Sequence, residues 1–214
     1  MLCGVDEAGK GAVLGPLVVA AVGAAGQEEL GGIGVKDSKL LLPAKRKELC
    51  DLICSRFPFA VYVIEPGEID LFRRRMNLNA IMARAHARVI TDLGASVAYV
   101  DACDVNAGRY GSMVANSTGC DCRIISEHHA DRTWPLVSAA SIVAKVFRDE
   151  AIAELASTYG EIGSGYPSDE TTVTFLEEYI SSFGKPPLCA RASWQTTRTL
   201  VAIKEQSHLS SYFC

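Results

Sequence analysis

The 214-residue sequence has no apolar run long enough to cross a bilayer, and its start lacks the basic, apolar and small-residue pattern of a secretion signal. We therefore expect a cytoplasmic, unprocessed protein that is not bound to a membrane. An excess of positive charge is also absent, because the formal net charge is -4. This balance argues against general binding of polyanions, but a local basic patch on such a protein still allows contact with nucleic acid.

Cysteine pairs of the C-x-x-C type are absent, although the chain contains eight cysteines. In a chain of this size without a secretion signal, buried thiols are expected rather than disulfides. A zinc site built from Cys120, Cys122, His128 and His129 is an alternative, but their spacing fits zinc motifs poorly. Repeats and low-complexity segments are absent too, so the 49% hydrophobic and 21% charged content indicates an ordinary globular chain.

Short apolar segments alternate with longer amphipathic ones. The short segments predict β-strands at residues 2–5, 16–24, 60–64, 97–100 and 123–125. The longer segments predict helices at residues 43–54, 77–93, 134–159, 169–183 and 190–204. This order predicts an α/β layer with a helical C-terminal cap. Only a glycine turn separates the first two strands, so we expect an antiparallel hairpin within a mixed sheet.

Acidic residues follow two of the predicted strands. Asp6 and Glu7 follow the first, Asp101 ends the fourth, and Asp131 precedes the long helix. Adjacent strand residues point to opposite faces, so Asp6 and Glu7 serve one site only where the strand ends and the backbone turns. Gathered carboxylates repel one another unless cations intervene, and oxygen ligands suit Mg²⁺ or Mn²⁺. Taken singly, each acid is more typical of a solvated turn or a helix cap than of a metal site.

Six sequence blocks, in order, resemble a known family: GVDEAGKGAVLGPLVVAAV (4–22), VKDSKLL (35–41), YVDACD (99–104), EHHAD (127–131), VSAASIVAKVFRD (137–149) and GSGYPSD (163–169). Together they resemble ribonuclease HII in its archaeal form over nearly the whole chain. The resemblance implies an RNase H-like fold, a mixed five-stranded sheet flanked by helices, plus a helical C-terminal cap. We expect a catalytic domain at residues 1–160, the cap at 161–205 and a separate tail at 206–214.

The resemblance also implies an activity. Such an endonuclease hydrolyses the RNA strand of RNA/DNA hybrids and incises 5′ to ribonucleotides embedded in duplex DNA, leaving 3′-hydroxyl and 5′-phosphate ends. The implied mechanism uses two divalent ions, Mg²⁺ or Mn²⁺, and the implied state is a monomer. By position, the family's metal-binding acids map onto Asp6, Glu7, Asp101 and Asp131. Asp149 is an alternative fourth acid.

Further family motifs map onto residues expected to contact the duplex. The turn Gly9-Lys10-Gly11 matches the element whose backbone approaches the minor groove, where a side chain would block the approach. Tyr166 matches the tyrosine that contacts the ribose at the RNA–DNA junction. Candidate phosphate contacts are hydroxyl or basic side chains near these motifs: Ser38, Lys39, Lys45, Arg46 and Lys145.

The C-terminal residues resemble the motif that docks on a sliding clamp. Gln206, Leu209, Tyr212 and Phe213 fit the pattern Q-x-x-[LIM]-x-x-[FY]-[FY]. The last three stand at helical spacing, so one turn presents them together to an apolar groove. The alternative is a final helix that folds back on the core of the protein.

Two other classes of function fit the sequence less well. An inactive adaptor that binds hybrids has no need for acids at all four mapped positions. A phosphatase of the aspartyl-phosphate kind needs an acid two residues after Asp6, where this chain has Ala8. We therefore expect an endonuclease in which water, rather than a side chain, attacks the phosphodiester.

Overall fold

The computed structural model describes residues 1–35 and 42–210, with side chains described through residue 206. Internal contacts divide the chain into two compact units, each discontinuous in sequence. The first unit comprises Met1–Ala8, Val18–Val63 and Met76–Phe147, and the second comprises Gly9–Leu17, Ile64–Arg75 and Arg148–Cys214. The expected domain boundaries after residues 160 and 205 stay predictions.

A mixed five-stranded sheet of order β3-β2-β1-β4-β5 is the centre of the first unit. Its strands are β1 (Leu2–Ala8), β2 (Leu17–Ala24), β3 (Phe59–Ile64), β4 (Val97–Asp101) and β5 (Arg123–Glu127). β1 runs antiparallel to β2 and parallel to β4, and β4 runs parallel to β5. The predicted strands, the hairpin and the mixed sheet are thus confirmed.

The first strand is longer than the sequence suggested. β1 continues to Ala8, and Asp6 and Glu7 pair with Ala20 and Val19 of β2. The expectation that both acids follow the strand is therefore wrong, because they lie within its last three residues. The physical reason is that β2 is fully buried and offers β1 a partner along its whole length. Because strand residues alternate, the two side chains leave β1 on opposite faces of the sheet. They stand one and two residues before the strand ends at Ala8, and their carboxylates remain close enough to repel each other.

Helices fill most of the remaining described chain. They are α1 (Pro43–Arg56), α2 (Pro66–Arg73), α3 (Leu78–Leu93), α4 (Ala107–Thr118), α5 (Ala130–Thr133), α6 (Pro135–Tyr159), α7 (Glu170–Phe183) and α8 (Gln195–Ser210). The five predicted helices are present, although α8 starts five residues later than expected. Helices α2, α4 and the short α5 were not predicted. Among the helices in the described part of the chain, none combines the length and apolarity needed to cross a bilayer.

Helix α4 forms because of its packing rather than its composition. Its sequence AGRYGSMVANST contains two glycines, which disfavour an isolated helix. The helix packs against α3 and β5. A Cβ atom on Gly111 would lie 3.1 Å from Cβ of Ser126, so the small residue allows the close approach of helix and strand. Tertiary contacts therefore outweigh the weak local preference.

One face of the sheet is covered by α6 and α1. Val18, Ala20 and Val22 of β2 pack in one apolar cluster with residues of these helices, among them Leu136 and Ile53. The start of α6 lies directly on β1 at Gly4, where an added Cβ would stand 2.1 Å from the carbonyl carbon of Leu136. Only glycine permits this approach, which brings the serine-rich part of α6 over the acid-bearing end of β1.

The second unit has a smaller core and a buried arginine. Its apolar cluster includes Val13, Leu14, Ile162 and Leu176. The fully buried Arg191 donates from Nε to the carbonyl oxygen of Gly15 at 3.2 Å and from Nη1 to that of Lys10 at 3.3 Å. These bonds hold residues 9–17, the segment that contains the glycine turn, in one conformation.

Candidate active site

The sheet register places Asp6 beside Asp101. The parallel pairing of β1 with β4 reaches Val5 and Val100, so the next residue on each strand is an aspartate. Asp6 is only 6% exposed. Burial raises the pKa of its carboxyl group well above the ordinary value, and the nearby carboxylates of Glu7 and Asp101 raise it further. Negative charges are therefore crowded near the ends of β1 and β4, and that of Asp6 is poorly solvated.

Two hydrogen bonds fix the Asp6 carboxylate. The backbone amide of Glu7 donates to Oδ1 of Asp6 at 2.8 Å, and the Ser141 side chain on α6 also hydrogen-bonds to this carboxylate. Both bonds favour the ionised form and so partly oppose the rise in the pKa of Asp6. Asp6 pairs with Ala20, whose side chain packs against α6. The side chain of Asp6 therefore faces α6 as well, where Ser141 lies.

Glu7 belongs to a network on the other face of the sheet, which the sequence did not predict. Nε2 of the fully buried His86 on α3 lies 3.2 Å from Oε2 of Glu7. The thiol of Cys103 donates to Oε1 of Glu7 at 3.0 Å. The hydroxyl of Tyr110 lies 3.2 Å from Nδ1 of His86, and burial raises the pKa of that tyrosine. Glu7 is therefore held in one orientation from two sides.

The segment after β5 brings Asp131 close to Asp101. The backbone amide of Ala130, the first residue of α5, donates to Oδ1 of Asp101 at 2.8 Å. Asp131 follows directly in the first turn of this short helix, and its Oδ1 atom is shielded from solvent. His129, with φ of 57°, adopts the left-handed conformation that turns the chain into α5. Asp6 and Asp101 thus lie side by side near the ends of β1 and β4, Glu7 follows Asp6, and the backbone of Asp131 is next to the residue that binds Asp101.

Two further acids have a different setting. Asp104 accepts hydrogen bonds from the Asn106 amide and from Nδ2 of Asn79, both at 2.9 Å, and pairs with the Arg109 guanidinium. The Asn106 amide is the main cause of the lowered pKa of Asp104, with Arg109 second. This carboxylate is therefore satisfied by the loop and helix that it anchors. Asp149, the alternative fourth acid, lies on the part of α6 that belongs to the second unit.

In the second unit, the structure brings the glycine turn and Tyr166 together. The Gly9 amide donates to the Tyr166 hydroxyl oxygen at 3.1 Å, and the Arg148 guanidinium lies 4.6 Å from the centre of the Tyr166 ring. Gly9 has φ of +89°, and a Cβ there would stand 2.7 Å from Cδ of Arg148. The buried Arg148 and Arg191 were not predicted; burial lowers the pKa of both, that of Arg191 to about 9.

The remaining predicted contact residues are described only in part. Gly11 is exposed, with no atom within 4 Å of an added Cβ, so its backbone is open to a partner. Arg46 on α1 and Lys145 on α6 are half-buried. Gln206 is exposed on α8. Ser38, Lys39, Tyr212, Phe213 and the side chain of Leu209 lie outside the described residues.

The cysteines remain as thiols in the part of the chain that the structure describes, as expected. Cys122 is buried and Cys120 is exposed. The group of side chains close enough to share a metal ion is instead Glu7, His86 and Cys103, again among the described residues. The first and last of these are 96 positions apart, so no local motif pointed to them.

A mixed five-stranded sheet with an aspartate near the end of each of two adjacent parallel strands is the arrangement of an RNase H-like fold. The sequence profile described as Ribonuclease HII matches residues 3–197. Ribonuclease HII of Methanoregula boonei is 55% identical over 213 residues, covering 100% of both chains. The structure of the PCNA:RNase HII complex from Archaeoglobus fulgidus matches at 41% identity with a TM-score of 0.87, over 94% of this chain and 96% of that one.

A second solved structure, the ribonuclease H2 from Pyrococcus horikoshii OT3, matches with a TM-score of 0.89 at 38% identity, over 96% of this chain and 99% of that one. The chain belongs to the ribonuclease HII family. It is accordingly an endonuclease that hydrolyses RNA in RNA/DNA hybrids, gives 5′-phosphate products and depends on divalent metal ions. The family, fold and enzyme class implied by the sequence blocks are confirmed.

Proposed function

We propose that this chain also incises duplex DNA 5′ to a single embedded ribonucleotide, with two divalent ions held by Asp6, Glu7, Asp101 and Asp131. The observation that carries the proposal is the strand register that sets the buried Asp6 beside Asp101, with Glu7 next along the chain. Negative charges so close together repel one another. Bound cations would offset that repulsion, and the all-oxygen donor set formed by the four carboxylates suits Mg²⁺ or Mn²⁺. When bound, the two ions supply activation of the attacking water and stabilisation of the leaving 3′-oxygen.

The protein's own contribution is orientation. The Ser141 side chain and the Glu7 amide hold Asp6, the Ala130 amide holds Asp101, and His86 with Cys103 hold Glu7. Fixed ligands cost little reorganisation when metal and substrate bind, which is the main way a preorganised site accelerates phosphoryl transfer. Asp131, on the short helix next to Asp101, completes the proposed set.

Recognition of the ribose is proposed to depend on Tyr166 and the glycine turn. The Tyr166 hydroxyl accepts its hydrogen bond from the Gly9 amide, so its own O–H remains able to donate to another oxygen. A ribose 2′-hydroxyl is such an oxygen, and it is the group that distinguishes RNA from DNA at one position. The Arg148 guanidinium against the ring keeps Tyr166 in place.

The C-terminal tail is proposed to bind a sliding clamp. The Archaeoglobus fulgidus relative, 41% identical to this chain, has been solved in complex with PCNA. Gln206, the first residue of the clamp-binding pattern, lies on the exposed end of α8. We propose a monomer that reaches its duplex substrate while tethered to the clamp.

A labelled DNA duplex with one ribonucleotide tests the proposed incision. We expect a single cut on the 5′ side of the ribonucleotide with Mg²⁺ or Mn²⁺, and no cut in an all-DNA duplex. Asp101→Asn should abolish cleavage, whereas Asp104→Asn, the matched control beside the site, should retain it. If long hybrids are cut but the single ribonucleotide is left intact with every metal, the incision proposal fails. Full activity of Asp101→Asn would instead refute the assigned site.

A further inference from the structure

Three different metal-binding side chains meet on the α3 face of the sheet. The ligand atoms of Glu7, His86 and Cys103 all lie within 4.8 Å of one another. We propose that they form a second metal site, selective for Zn²⁺ and other ions that prefer thiolate ligands. That this site shares Glu7 with the catalytic centre rests on the proposed function. The binding of zinc by the three side chains is independent of it.

The three side chains lie close enough to bind one zinc ion after small shifts. The two printed distances run to different oxygen atoms of Glu7, so that carboxylate would turn one oxygen toward the ion. Typical bond lengths to nitrogen and oxygen place those two ligand atoms about 3.3 Å apart around such an ion. Nε2 of His86 and Oε2 of Glu7 are 3.2 Å apart. A thiolate and a carboxylate oxygen would be separated by about 3.5 Å, and Sγ of Cys103 lies 3.0 Å from Oε1 of Glu7. Cys103 follows β4 in an irregular segment, so a side-chain rotation supplies the difference.

His86 is already oriented as a metal ligand. A metal on Nε2 requires the ring proton on Nδ1, and Nδ1 lies 3.2 Å from the Tyr110 hydroxyl. The proton on Nδ1 would then be donated to the tyrosine oxygen, which is the outer contact that metal-bound histidines usually make. His86 is fully buried, so its ring has little freedom to lose on binding.

The charges balance when zinc binds. The Cys103 thiol loses its proton to solvent, His86 binds as the neutral ring, and no oxidant or reductant is needed. The Glu7 carboxylate and the Cys103 thiolate together neutralise the two charges of Zn²⁺, which favours binding in a poorly solvated place. A thiolate and an imidazole also prefer zinc to magnesium, whose usual ligands are oxygen atoms.

Occupation of this site would remove Glu7 from the catalytic set. Zn²⁺ should therefore inhibit cleavage, and Mg²⁺ or Mn²⁺ should compete with it. The inhibition should be specific to ions that bind sulfur and nitrogen, because His86 and Cys103 are not among the carboxylate ligands proposed for catalysis.

Metal titration of the full-length, metal-free protein without substrate tests the site. We expect one Co²⁺ per chain, with a thiolate-to-cobalt absorption band in the near ultraviolet that Zn²⁺ removes. Cys103→Ser should lose the band and bind Zn²⁺ about tenfold more weakly or worse. The matched control is Cys54→Ser, because Sγ of Cys54 lies 4.0 Å from Sγ of Cys50 and offers a rival thiol pair. This control should bind as the wild type does.

A second variant, His86→Gln, should weaken zinc binding to a similar degree while circular dichroism reports whether it folds. The Zn²⁺ concentration that halves Mn²⁺-dependent cleavage should rise about tenfold in Cys103→Ser. Unchanged zinc affinity in Cys103→Ser, or loss of the band only in Cys54→Ser, would overturn the proposal. Because binding is read without substrate, a failure to incise ribonucleotides leaves this result intact, and the two proposals fail separately.

Discussion

Replacement of Asp6 by asparagine should stabilise the metal-free protein while it abolishes cleavage. Asp6 is buried, and Glu7 and Asp101 both oppose its ionisation. Asparagine keeps nearly the same shape and an oxygen that accepts hydrogen bonds, but it removes one of the crowded negative charges. Sites that bind cations commonly carry such strain, so function and stability oppose each other at this position.

The size of the effect follows from the sheet geometry. Neighbouring strands lie about 4.8 Å apart, which places carboxylates at matched positions about 5–6 Å apart. Two full charges at that distance repel by about 3 kcal/mol at an effective dielectric constant of about 20. Partial protonation of Asp6, which follows from its raised pKa, relieves part of this repulsion in the wild type. In Asp6→Asn, the hydrogen bonds from Ser141 and the Glu7 amide are weaker, which costs about 1 kcal/mol. We therefore expect a net gain of about 1–2 kcal/mol.

Urea unfolding with a chelator present measures the gain. The unfolding midpoint of Asp6→Asn should rise at an unchanged slope, and its melting temperature should rise by about 2–4 °C for each kcal/mol. Asp104→Asn is the matched control, and its unfolding midpoint should fall, because Asn106 and Arg109 stabilise the charge of Asp104. Excess Mg²⁺ should stabilise the wild type and not Asp6→Asn. If Asp6→Asn is destabilised as Asp104→Asn is, the crowding of charge at the site is refuted.

The pH dependence has a defined sign. The pKa of Asp6 is higher in the folded chain than in the unfolded chain, so the folded state binds this proton more tightly. Protonated Asp6 therefore stabilises the folded chain. This stabilisation is fully present below the pKa of Asp6 in the unfolded chain, about 3.9, and is lost as the pH rises through its pKa in the folded chain. Asp104 behaves in the opposite way, because its lowered pKa gives a contribution that is lost as the pH falls. The advantage of Asp6→Asn without metal should therefore grow with pH.

Three further predictions concern the scaffold, the ribose contact and the tail. Gly4→Ala should lower the free energy of unfolding by about 3 kcal/mol in urea, because its Cβ would meet the Leu136 carbonyl carbon at 2.1 Å. Gly32→Ala should change this free energy by less than about 1 kcal/mol, because no atom lies within 4 Å of a Cβ added there. Equal effects of the two substitutions would contradict the close packing at Gly4. Tyr166→Phe should lower the preference for ribonucleotide over all-DNA duplexes about three- to tenfold in competition assays, and an unchanged preference would exclude the hydroxyl contact. Removal of residues 206–214 should abolish clamp pull-down and spare cleavage of short duplexes, whereas loss of that cleavage would make the tail structural.

The outline of the fold could be predicted because its signals are local. Short apolar runs predicted all five strands, and the stripe of Ile81, Met82, Ala85 and Val89 predicted α3. Helix α4 escaped prediction because its two glycines weaken the local preference that its packing against α3 and β5 restores. The end of β1 escaped because only its pairing with β2 carries that strand through Asp6 and Glu7 to Ala8.

The candidate site divides in the same way. The four acids were identified through the six family-like sequence blocks, because an acid after an apolar strand is by itself typical of a solvated turn or a helix cap. Arg148 and Arg191 gave no signal, because a buried arginine and a solvated one look alike in a sequence. His86 lay on the apolar stripe of α3 and gave no sign that its ring faces Glu7 rather than the core.

The sequence by itself determined the family, the strands and helices with strong local patterns, and the four acids proposed to bind metal. Only the tertiary structure decided that Asp6 stands beside Asp101 on one face of β1, and that Glu7 joins His86 and Cys103 on the other. The physical reason is that the alternation and spacing of apolar residues, which predict strands and helices, are patterns within a few neighbouring residues. The contacts that orient Glu7 instead join positions as many as 96 residues apart, and they exist only once the sheet has formed.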